Sequence, residues 1–543
     1  MLLEIALSLV ALLAYLYWRW HQKSTYWTQL GVRQPPNNPF LMGNDAALVA
    51  AMGFGGKNSN QAMLEQYMQF KGEKYYGTYG GGLAPLPVLT INDPDILKHI
   101  LVKDFDAFVD RALGGFEEFG KSWTDELWNK QMFNARGQLW RHVRSTFSPV
   151  FTSGKMRLML QFMNQTSAEM AEVFAKAAES GEDLDAHKWS KSFSLDIISS
   201  CAFGVNAGSF SGEGDTQFLA TVQDIFSLDA YEAILAVLYL IPPFRFALDK
   251  LKVPLMKSKS TKFFHSLITQ TLRHRMETGE KRNDLIDLMI AAMRNELDED
   301  DEEDNNGDDC TTTNEPKKTM EKKAKLDEFL IVATAMVLLV AGYDTSGNTF
   351  GFALWLLATN PAVQDRLRAE IDGAHASGET DENGRLTYNA LMGMEYLDMA
   401  VQEVTRRFPI GGSVISREAN REYRLPGTDL TIPKGAEVHV PAIGIHMDER
   451  HYPDPERFEP ERFSKEAKAA RHPMTYLTFG QGPRACVGSR FALLEIKVGL
   501  AKLLREFDIT SCERTPAEIE MDPSSATLSP KHPLWVRVKK RDV

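Results

Sequence analysis

The sequence predicts one large, mainly α-helical domain with small β regions, preceded by a single N-terminal transmembrane helix. Apolar residues recur with the helical period of about 3.6 along most of the chain, whereas strand-like patterns are confined to residues 87–91 and 430–440. The 543 residues, 43% of them hydrophobic, suffice for one extensive core. Residues 5–18 are apolar and uncharged, as a membrane helix requires.

Charge and cysteine content narrow the class of protein. The formal net charge is −12, and residues 296–309 alone hold ten acidic side chains. Because no basic block interleaved with aromatic residues stands out, we expect no nucleic-acid partner. Four cysteines in so long a chain argue against a disulfide framework and favour a reducing compartment.

The N-terminal segment is expected to be an uncleaved membrane anchor. As a helix, residues 1–18 would span about 27 Å, just enough for a bilayer core. A cleaved secretory signal would need a positive start and small residues at its end, and a mitochondrial presequence would be rich in arginine. Here the start is acidic and the end is bulky. The far end carries an aromatic belt formed by Tyr15, Tyr17, Trp18 and Trp20. The positive flank consists of Arg19, His21 and Lys23.

The charge on the C-terminal side of this helix places the body of the protein in the cytosol. We therefore assign residues 1–20 to the anchor, 21–45 to a basic, proline-rich linker, and 46–543 to the main domain.

Two segments of the main domain interrupt its globular pattern. Residues 233–243 are uncharged and too short to cross a bilayer, so they form either a core helix or a segment that dips into the membrane surface. Residues 296–325 are acidic and then basic, which predicts a solvated, largely disordered loop rather than a partner-binding tail.

A long apolar helix is predicted from about residue 326 to residue 360, where Pro361 ends it. Its middle, residues 341–346, contains a glycine, an acid and two hydroxyls, which destabilise a hydrophobic helix interior. Thr345 can bond back to a carbonyl and open the helix locally. Taken alone, this is either a structural kink or a chemical site, since Asp344 beside Thr345 can relay protons.

A cysteine loop at residues 479–488, FGQGPRACVG, leads into another helical stretch. The start of that helix is expected to lower the pKa of the Cys486 thiol, which suits an axial haem ligand. Phe479 can cover the sulfur, Gly480 lets a flat macrocycle approach the backbone, and Arg484 can neutralise a propionate. Ordinary buried or exposed positions are expected for the remaining cysteines, Cys201, Cys310 and Cys512.

The pattern Phe-Gly-x-Gly-x-Arg-x-Cys-x-Gly resembles the haem-binding loop of the haem-thiolate monooxygenases, the cytochrome P-450 superfamily. Residues 341–346 are similar to that superfamily's Ala/Gly-Gly-x-Asp/Glu-Thr-Thr/Ser signature, in the expected order along the chain. Residues 148–155 and 196–204 resemble its microsomal members, in the group of vertebrate drug-oxidising and insect detoxification enzymes. The resemblance implies the cytochrome P-450 fold.

The resemblance also implies roles for residues beyond the two motifs. Haem b would be bound with Cys486 as the metal ligand, and Asp344 and Thr345 would be the catalytic pair. Further haem contacts would come from Trp140, Arg144, Arg417 and Arg111. Glu403 and Arg406 would form a structural Glu-x-x-Arg pair that bonds to the downstream Arg462. This set would hold the segment before the cysteine loop in position.

The implied reaction is insertion of one oxygen atom from O2 into an apolar small molecule, a xenobiotic or a lipid or steroid. The chain lacks a Gly-rich dinucleotide fingerprint, so electrons would come from a separate NADPH–cytochrome P-450 reductase, with cytochrome b5 as a further candidate donor. The implied location is the endoplasmic reticulum membrane, with the catalytic domain on its cytosolic face. Candidate docking residues are Arg141, Arg490 and Lys497.

Two other functions are compatible with such a chain. One is an isomerase or dehydratase of the same fold, which rearranges a peroxide without O2 or reductase. The other is a non-catalytic, membrane-anchored haem-binding protein. The pair Asp344 and Thr345 is of no use to a carrier and favours a monooxygenase, but it does not exclude the isomerase.

Overall fold

The computed structural model describes residues 2–36, 43–51, 56–80, 87–112, 120–205, 207–210, 216–226, 230–239, 241–294, 327–411, 415–525 and 527–542. The helices are α1 (Leu2–Ser24), α2 (Tyr26–Gln29), α3 (Ala46–Ala51), α4 (Ser59–Phe70), α5 (Pro94–Lys98), α6 (Trp123–Lys130), α7 (Gly137–Phe147), α8 (Ser153–Ser180), α9 (Ala186–Phe203), α10 (Thr216–Phe226), α11 (Ala230–Tyr239), α12 (Pro242–Lys250), α13 (Ser258–Thr278), α14 (Leu285–Arg294), α15 (Glu328–Thr359), α16 (Pro361–Ala376), α17 (Tyr388–Gly393), α18 (Glu395–Arg407), α19 (Ala442–His446), α20 (Lys465–Ala470) and α21 (Ser489–Glu506).

The strands are β1 (Tyr75–Tyr79), β2 (Pro87–Ile91), β3 (Leu184–Asp185), β4 (Ile415–Glu418), β5 (Tyr423–Arg424), β6 (Thr431–Ile432), β7 (Glu437–Val440), β8 (Phe507–Thr510) and β9 (Trp535–Lys540). Short 3₁₀ turns occupy Phe105–Ala107, Ser148–Phe151, Pro460–Phe463 and Pro473–Thr475, and a π-helical turn occupies His99–Lys103.

The strands form small sheets beside the helices, which confirms the mainly α-helical prediction. One sheet has the order β1-β2-β7-β4, in which only β2 and β7 run parallel, with Val88 opposite Glu437. The others have the orders β3-β9-β8 and β5-β6. The strand predicted at 87–91 is β2, and all five of its residues are buried.

The strand signals predicted at residues 430–440 are confirmed. The structure has two strands there, β6 and β7, which belong to different sheets. Gly435 between them has a φ of 82°, a left-handed conformation that turns the chain. This turn prevents one continuous strand.

The long central helix is α15, and its bounds agree with the prediction. The Asp327 side chain caps its start by accepting a hydrogen bond from the N–H of Leu330 at 2.8 Å, and Pro361 begins the next helix. Among the described residues, α15 is the helix that is long and apolar enough to cross a membrane. However, it packs against α9, α13 and α21, and 22 of its 32 residues are buried, so it is the central core helix.

The predicted anchor is helical but extends further than expected, since α1 continues to Ser24. Tyr15, Tyr17 and Trp18 are about half exposed, as a membrane belt would be. Trp20 departs from that prediction, because its ring packs edge-on against Tyr79 of β1 and is buried. The side chains of residues 2–9, 12 and 13 lie outside the described part of the structure.

The apolar run at 233–243 spans the end of α11 and the start of α12, and exposed aromatic side chains adjoin it. Leu235 and Tyr239 are buried, whereas Ile234, Phe244 and Phe246 expose half or more of their surface. The run is therefore neither wholly core nor wholly surface. The charged insert predicted at 296–325 lies outside the described residues.

Candidate functional site

The cysteine loop is closed by its own backbone and runs directly into α21. The N–H of Cys486 donates to the carbonyl of Phe479 at 2.7 Å, and that of Ala485 donates to Gly482 at 2.9 Å. Gly480 and Gly482 have φ values of 71° and 74°, which favour glycine. These bonds hold Cys486 at a defined place ahead of the helix.

Gly482 has a second constraint besides its backbone conformation. A Cβ atom there would lie 1.9 Å from the carbonyl oxygen of Leu101. The glycine therefore lets the loop pack directly on the π-helical turn at His99–Lys103. Contact with Leu101 within the protein is therefore enough to require glycine at this position of the motif.

The Cys486 thiol differs in one respect from the prediction. Burial raises the pKa of this thiol, while the N–H of Gly488 and the charges of Arg144 and Arg111 act in the opposite direction. The N–H at the helix start lowers the pKa of this thiol, as predicted, but burial has the larger effect. The side chain of Cys486 is nevertheless exposed.

Four arginines that are distant in sequence meet near this sulfur, and we call them the arginine cluster. Each comes from a different element: the turn before the α6 region, α7, β4 and the cysteine loop, which supply Arg111, Arg144, Arg417 and Arg484. The pKa of Arg484 is lowered to about 8. Burial is the largest cause, and repulsion from the charges of Arg111 and Arg417 comes next. The fold thus concentrates positive charge beside the cysteine.

Two members of the cluster have unsatisfied nitrogen atoms. Among the described residues, the buried Nε atoms of Arg111 and Arg417 have no hydrogen-bond partner. Burial lowers the pKa of both side chains. Asp110, whose carboxylate lies 3.7 Å from Arg484, offsets only part of the charge. Buried, unpaired cations require anionic partners.

Arg484 itself is largely occupied by the protein. Its guanidinium donates to the carbonyls of Val109 at 3.0 Å, Phe133 at 3.2 Å and Ala135 at 2.7 Å, with a longer bond to Met132. It also lies 4.1 Å above the ring of Trp140. Arg484 therefore ties the cysteine loop to residues 109–140, and its bond to a propionate stays a prediction.

These residues fit a haem group. An accessible thiol can ligate iron, and the two propionates of a porphyrin can satisfy the unpaired donors of Arg111 and Arg417. Arg144 follows Trp140 by one helical turn on α7, so the two side chains lie on the same face of that helix. The charge of Arg144 lowers the pKa of Cys486. Phe479, the first residue of the loop, is half-buried, and Gly480 follows it.

Asp344 and Thr345 lie in the middle of α15 and have different partners. The Thr345 hydroxyl donates to the carbonyl of Ala341 at 2.6 Å, which is the back-bond that the sequence predicts. The buried Asp344 carboxylate accepts hydrogen bonds from the Lys191 ammonium, the Thr527 hydroxyl and the Asn348 amide, the last at 3.2 Å. The acid is therefore held in a buried network, whereas the alcohol is held by its own helix.

Lys191 is a partner that the sequence analysis missed. It lies on α9, and its ammonium forms an ion pair with Asp344 while lying 4.9 Å from the ring of Tyr343. Burial lowers the pKa of Lys191. No local signal marks this lysine, because the pair joins helices that are 153 residues apart in sequence.

The predicted structural set comes together as a buried ion-pair network. Both nitrogens of the Arg406 fork contact the Glu403 carboxylate, at 2.7 and 2.9 Å, and neither residue is exposed. Arg462 approaches the same carboxylate at 3.3 Å. The remaining Arg406 donors reach the carbonyls of His446 and Pro455, both at 2.7 Å.

His446 connects this network to the cysteine loop and was not predicted. Its Nε2 accepts a hydrogen bond from the N–H of Leu477 at 2.8 Å, so its Nδ1 carries the proton that is donated to the Arg406 carbonyl at 3.0 Å. Burial and the Arg406 charge lower the pKa of His446 to about 3. A neutral imidazole thus fixes the chain two residues before Phe479.

One predicted docking residue is wrong. The side chain of Lys497 is fully buried on α21, and its ammonium lies 2.8 Å from the Asp398 carboxylate. It cannot present charge to another protein. Arg141, by contrast, is partly exposed and paired with Asp106.

The chain is similar to known proteins over most of its length. A family model described as Cytochrome P450 matches residues 48–537. Cytochrome P450 6B2 of Helicoverpa armigera is 33% identical over 536 residues, covering 98% of this chain and 97% of the relative. Cytochrome P450 6A1 of Musca domestica is 31% identical, with 98% and 97% covered. Cytochrome P450 3A41 of Mus musculus is 32% identical over 474 residues, covering 87% and 86%.

The resemblance inferred from the motifs is therefore confirmed, including its insect and vertebrate groups. Because the family model spans most of the chain and the relatives match over nearly their whole lengths, this chain belongs to the cytochrome P450 family of haem-binding monooxygenases.

Proposed function

We propose that this protein is a membrane-bound monooxygenase that transfers one oxygen atom from O2 to an apolar small molecule, with Cys486 as the iron ligand of haem b. The observation that carries the proposal is an exposed thiol beside four arginines, two of which have buried donors without a partner in the described part of the chain. Haem bound there would supply the chemistry of dioxygen activation. The substrate class, xenobiotic or lipid and steroid, rests on the family resemblance alone.

In this proposal the side chains of the protein neutralise the haem propionates and deliver protons. Arg111 and Arg417 would neutralise propionates, and Arg484 would keep the cysteine loop in position. Asp344 would supply protons and the Thr345 hydroxyl would pass them on, giving up its present bond to the Ala341 carbonyl to do so. For this, Asp344 must share its carboxylate with Lys191.

Electrons would come from a separate NADPH-dependent flavoprotein reductase, and cytochrome b5 is a further candidate donor. A Gly-rich dinucleotide fingerprint does not occur in the sequence. Arg141 on α7 and Arg490 on α21 remain the candidate docking residues, since Arg490 follows the cysteine loop in sequence and Arg141 is next to Trp140, whose ring contacts Arg484. Complementary charge would mainly speed association.

The proposed location is the endoplasmic reticulum membrane, with the main domain in the cytosol. Half-exposed aromatic residues on α1 and the basic flank that follows them support an anchor in this orientation. Ile234 on α11 and Phe244 and Phe246 on α12 are also exposed, and such apolar side chains suit the headgroup region.

The test is a carbon monoxide difference spectrum of the reduced, membrane-expressed protein. Thiolate ligation predicts a strongly red-shifted Soret band, and Cys486→Ala should lose it while Cys512→Ala keeps it. A band typical of histidine-ligated haem, or an unchanged spectrum in Cys486→Ala, would contradict the assignment.

Turnover separates the two enzymatic functions. With purified reductase and NADPH, a monooxygenase consumes O2 and forms an oxygenated product. Rearrangement of an organic peroxide without either component, and no NADPH-dependent product from a panel of apolar compounds, would favour the isomerase instead.

A further inference from the structure

Two members of the arginine cluster are neighbours across a short antiparallel pairing. An isolated bridge joins Asp110 to Glu418, and the N–H of Glu418 donates to the Asp110 carbonyl at 2.8 Å. In this register Arg111 lies directly opposite Arg417, so the two side chains share one face. Like charges in such positions repel each other. The protein therefore has to hold two repelling guanidinium groups in place.

The Arg111 guanidinium is stacked on an aromatic ring. Its Cζ atom lies 4.0 Å from the centre of the Phe133 ring. Among the described residues, the buried Nε of Arg111 has no hydrogen-bond partner, and burial lowers the pKa of this side chain to about 10. A ring face attracts a cation through its quadrupole. The ring of Phe133 thus stabilises the charged form of Arg111.

Phe133 is itself fixed to the cysteine loop through its backbone. Its carbonyl accepts a hydrogen bond from Arg484 at 3.2 Å, and its N–H donates to the side chain of Gln131. The side chain of Phe133, by contrast, is 52% exposed. One residue therefore contacts two members of the cluster, Arg484 through its carbonyl and Arg111 through its ring.

An exposed aromatic side chain does not by itself indicate a function, because much of any protein surface is apolar. Phe133 differs from Phe246, an exposed residue of α12 on whose ring no described cation stacks. The stack on Arg111 also repeats, within the same cluster, that of Arg484 on Trp140 at 4.1 Å. Two of the four clustered arginines are thus held against aromatic rings.

We propose that Phe133 is a positioning residue for haem binding, which holds Arg111 against the repulsion of Arg417 and keeps its nitrogens available to a propionate. This inference rests on the proposed function, because it requires haem beside Cys486. A guanidinium stacked on a ring can still donate, since its N–H groups lie in its own plane. An aliphatic side chain at position 133 would fill similar space without attracting the cation.

The test is the rate of haem transfer from the full-length, haem-loaded protein in detergent to an apo-globin acceptor. Phe133→Leu should release haem faster by roughly three- to twentyfold, the range that loss of a cation–π contact allows. Phe133→Tyr keeps the ring face and should release haem at the wild-type rate. Both variants should keep the red-shifted carbon monoxide band, because neither changes Cys486.

A double-mutant cycle shows whether Phe133 acts through Arg111. Arg111→Met alone should speed haem loss, and adding Phe133→Leu to it should have no further effect. A merely structural role would give the same effect of Phe133→Leu in both backgrounds. Phe246→Leu is the matched control, since it makes the same chemical change at an exposed position and should leave the rate unchanged.

The possible failures are distinguishable. A wild-type rate in Phe133→Leu, or equal acceleration with and without Arg111, would overturn the role of Phe133 while leaving the proposed function intact. Wild-type protein that lacks the red-shifted band would overturn the proposed function, and this inference with it. Neither readout depends on oxygenation activity.

Discussion

Arg484 and Arg417 lie in the same arginine cluster but are bound to the rest of the protein in different ways. Arg484 is held by the carbonyls of residues 109–135, so it belongs to the framework of the site. Arg417 donates from one terminal nitrogen to the Ser416 carbonyl at 2.8 Å, and its Nε has no hydrogen-bond partner among the residues that the structure describes. The two side chains should therefore differ in what their loss affects.

We predict that Arg484→Ala destabilises the protein with or without haem, by about 3 kcal/mol or more, because several buried carbonyls lose their charged donor. Arg417→Met should leave the haem-free protein as stable as wild type and instead speed haem loss. The measurements are unfolding of both forms and haem transfer to an apo-globin acceptor. Equal haem retention in Arg417→Met and wild type would contradict a propionate contact.

The pair of Lys191 and Asp344 is testable at the same scale. Removing one partner of a buried ion pair typically costs about 3–5 kcal/mol, whereas replacing both costs far less. Lys191→Met should thus destabilise strongly, and Lys191→Met with Asp344→Asn should recover most of the loss. Chemical unfolding of the two single variants and the double variant measures this coupling. Lys188→Met, at an exposed position of the same helix, is the control.

At the scale of elements, α18 and α19 together position the cysteine loop. Glu403 and Arg406 of α18 bind the carbonyls and arginine of the segment that follows α19. His446, the last residue of α19, then fixes Leu477. The site therefore depends on a neutral imidazole that is remote from the iron ligand in sequence.

This histidine predicts a pH dependence. Its folded pKa, about 3, is below the unfolded value of about 6.5, so it contributes stability above pH 6.5 that is lost as the pH falls toward 3. The loss is at most about 1.4 kcal/mol per pH unit. His446→Asn should be less stable at pH 7 and show a shallower decline between pH 6.5 and 5 in denaturant titrations.

His532→Asn serves as the comparison, since His532 is about two-thirds exposed. Its stability profile should follow that of wild type. A decline in His446→Asn as steep as that of wild type would mean that other groups carry the acid sensitivity.

At the scale of the whole molecule, the part of the predicted linker around Trp27 packs against the main domain. Trp27 is 1% exposed, and its ring N–H donates to the Thr78 carbonyl at 2.9 Å. The ring lies against Gly77, where a Cβ would approach it to 2.2 Å. The N-terminal helices are therefore joined to the sheet that contains β1.

We predict that Trp27→Ala lowers the free energy of unfolding by about 3–5 kcal/mol, as for other buried aromatic residues. Trp18→Ala, at a half-exposed position on α1, should change it little and instead weaken membrane attachment. Unfolding in detergent and membrane flotation measure the two effects. A similar loss of stability in both variants would contradict the difference in packing.

Local signals in the sequence predicted the cysteine loop, the ends of α15 and strand β2, because glycines, prolines and apolar periodicity act over a few neighbouring residues. The split between β6 and β7 was missed even so, although Pro433 and Gly435 mark the turn. The motifs also placed Glu403 and Arg406 together, since they are one helical turn apart.

The sequence by itself determined the family, the iron-ligand candidate and the helical class of this protein. Only the tertiary structure decided that Lys191 pairs with Asp344, that His446 supports Leu477, that Lys497 is buried and that Arg111 and Arg417 meet with free donors. The physical reason is that burial and electrostatic interaction depend on distances between elements far apart in the chain, which no local pattern encodes.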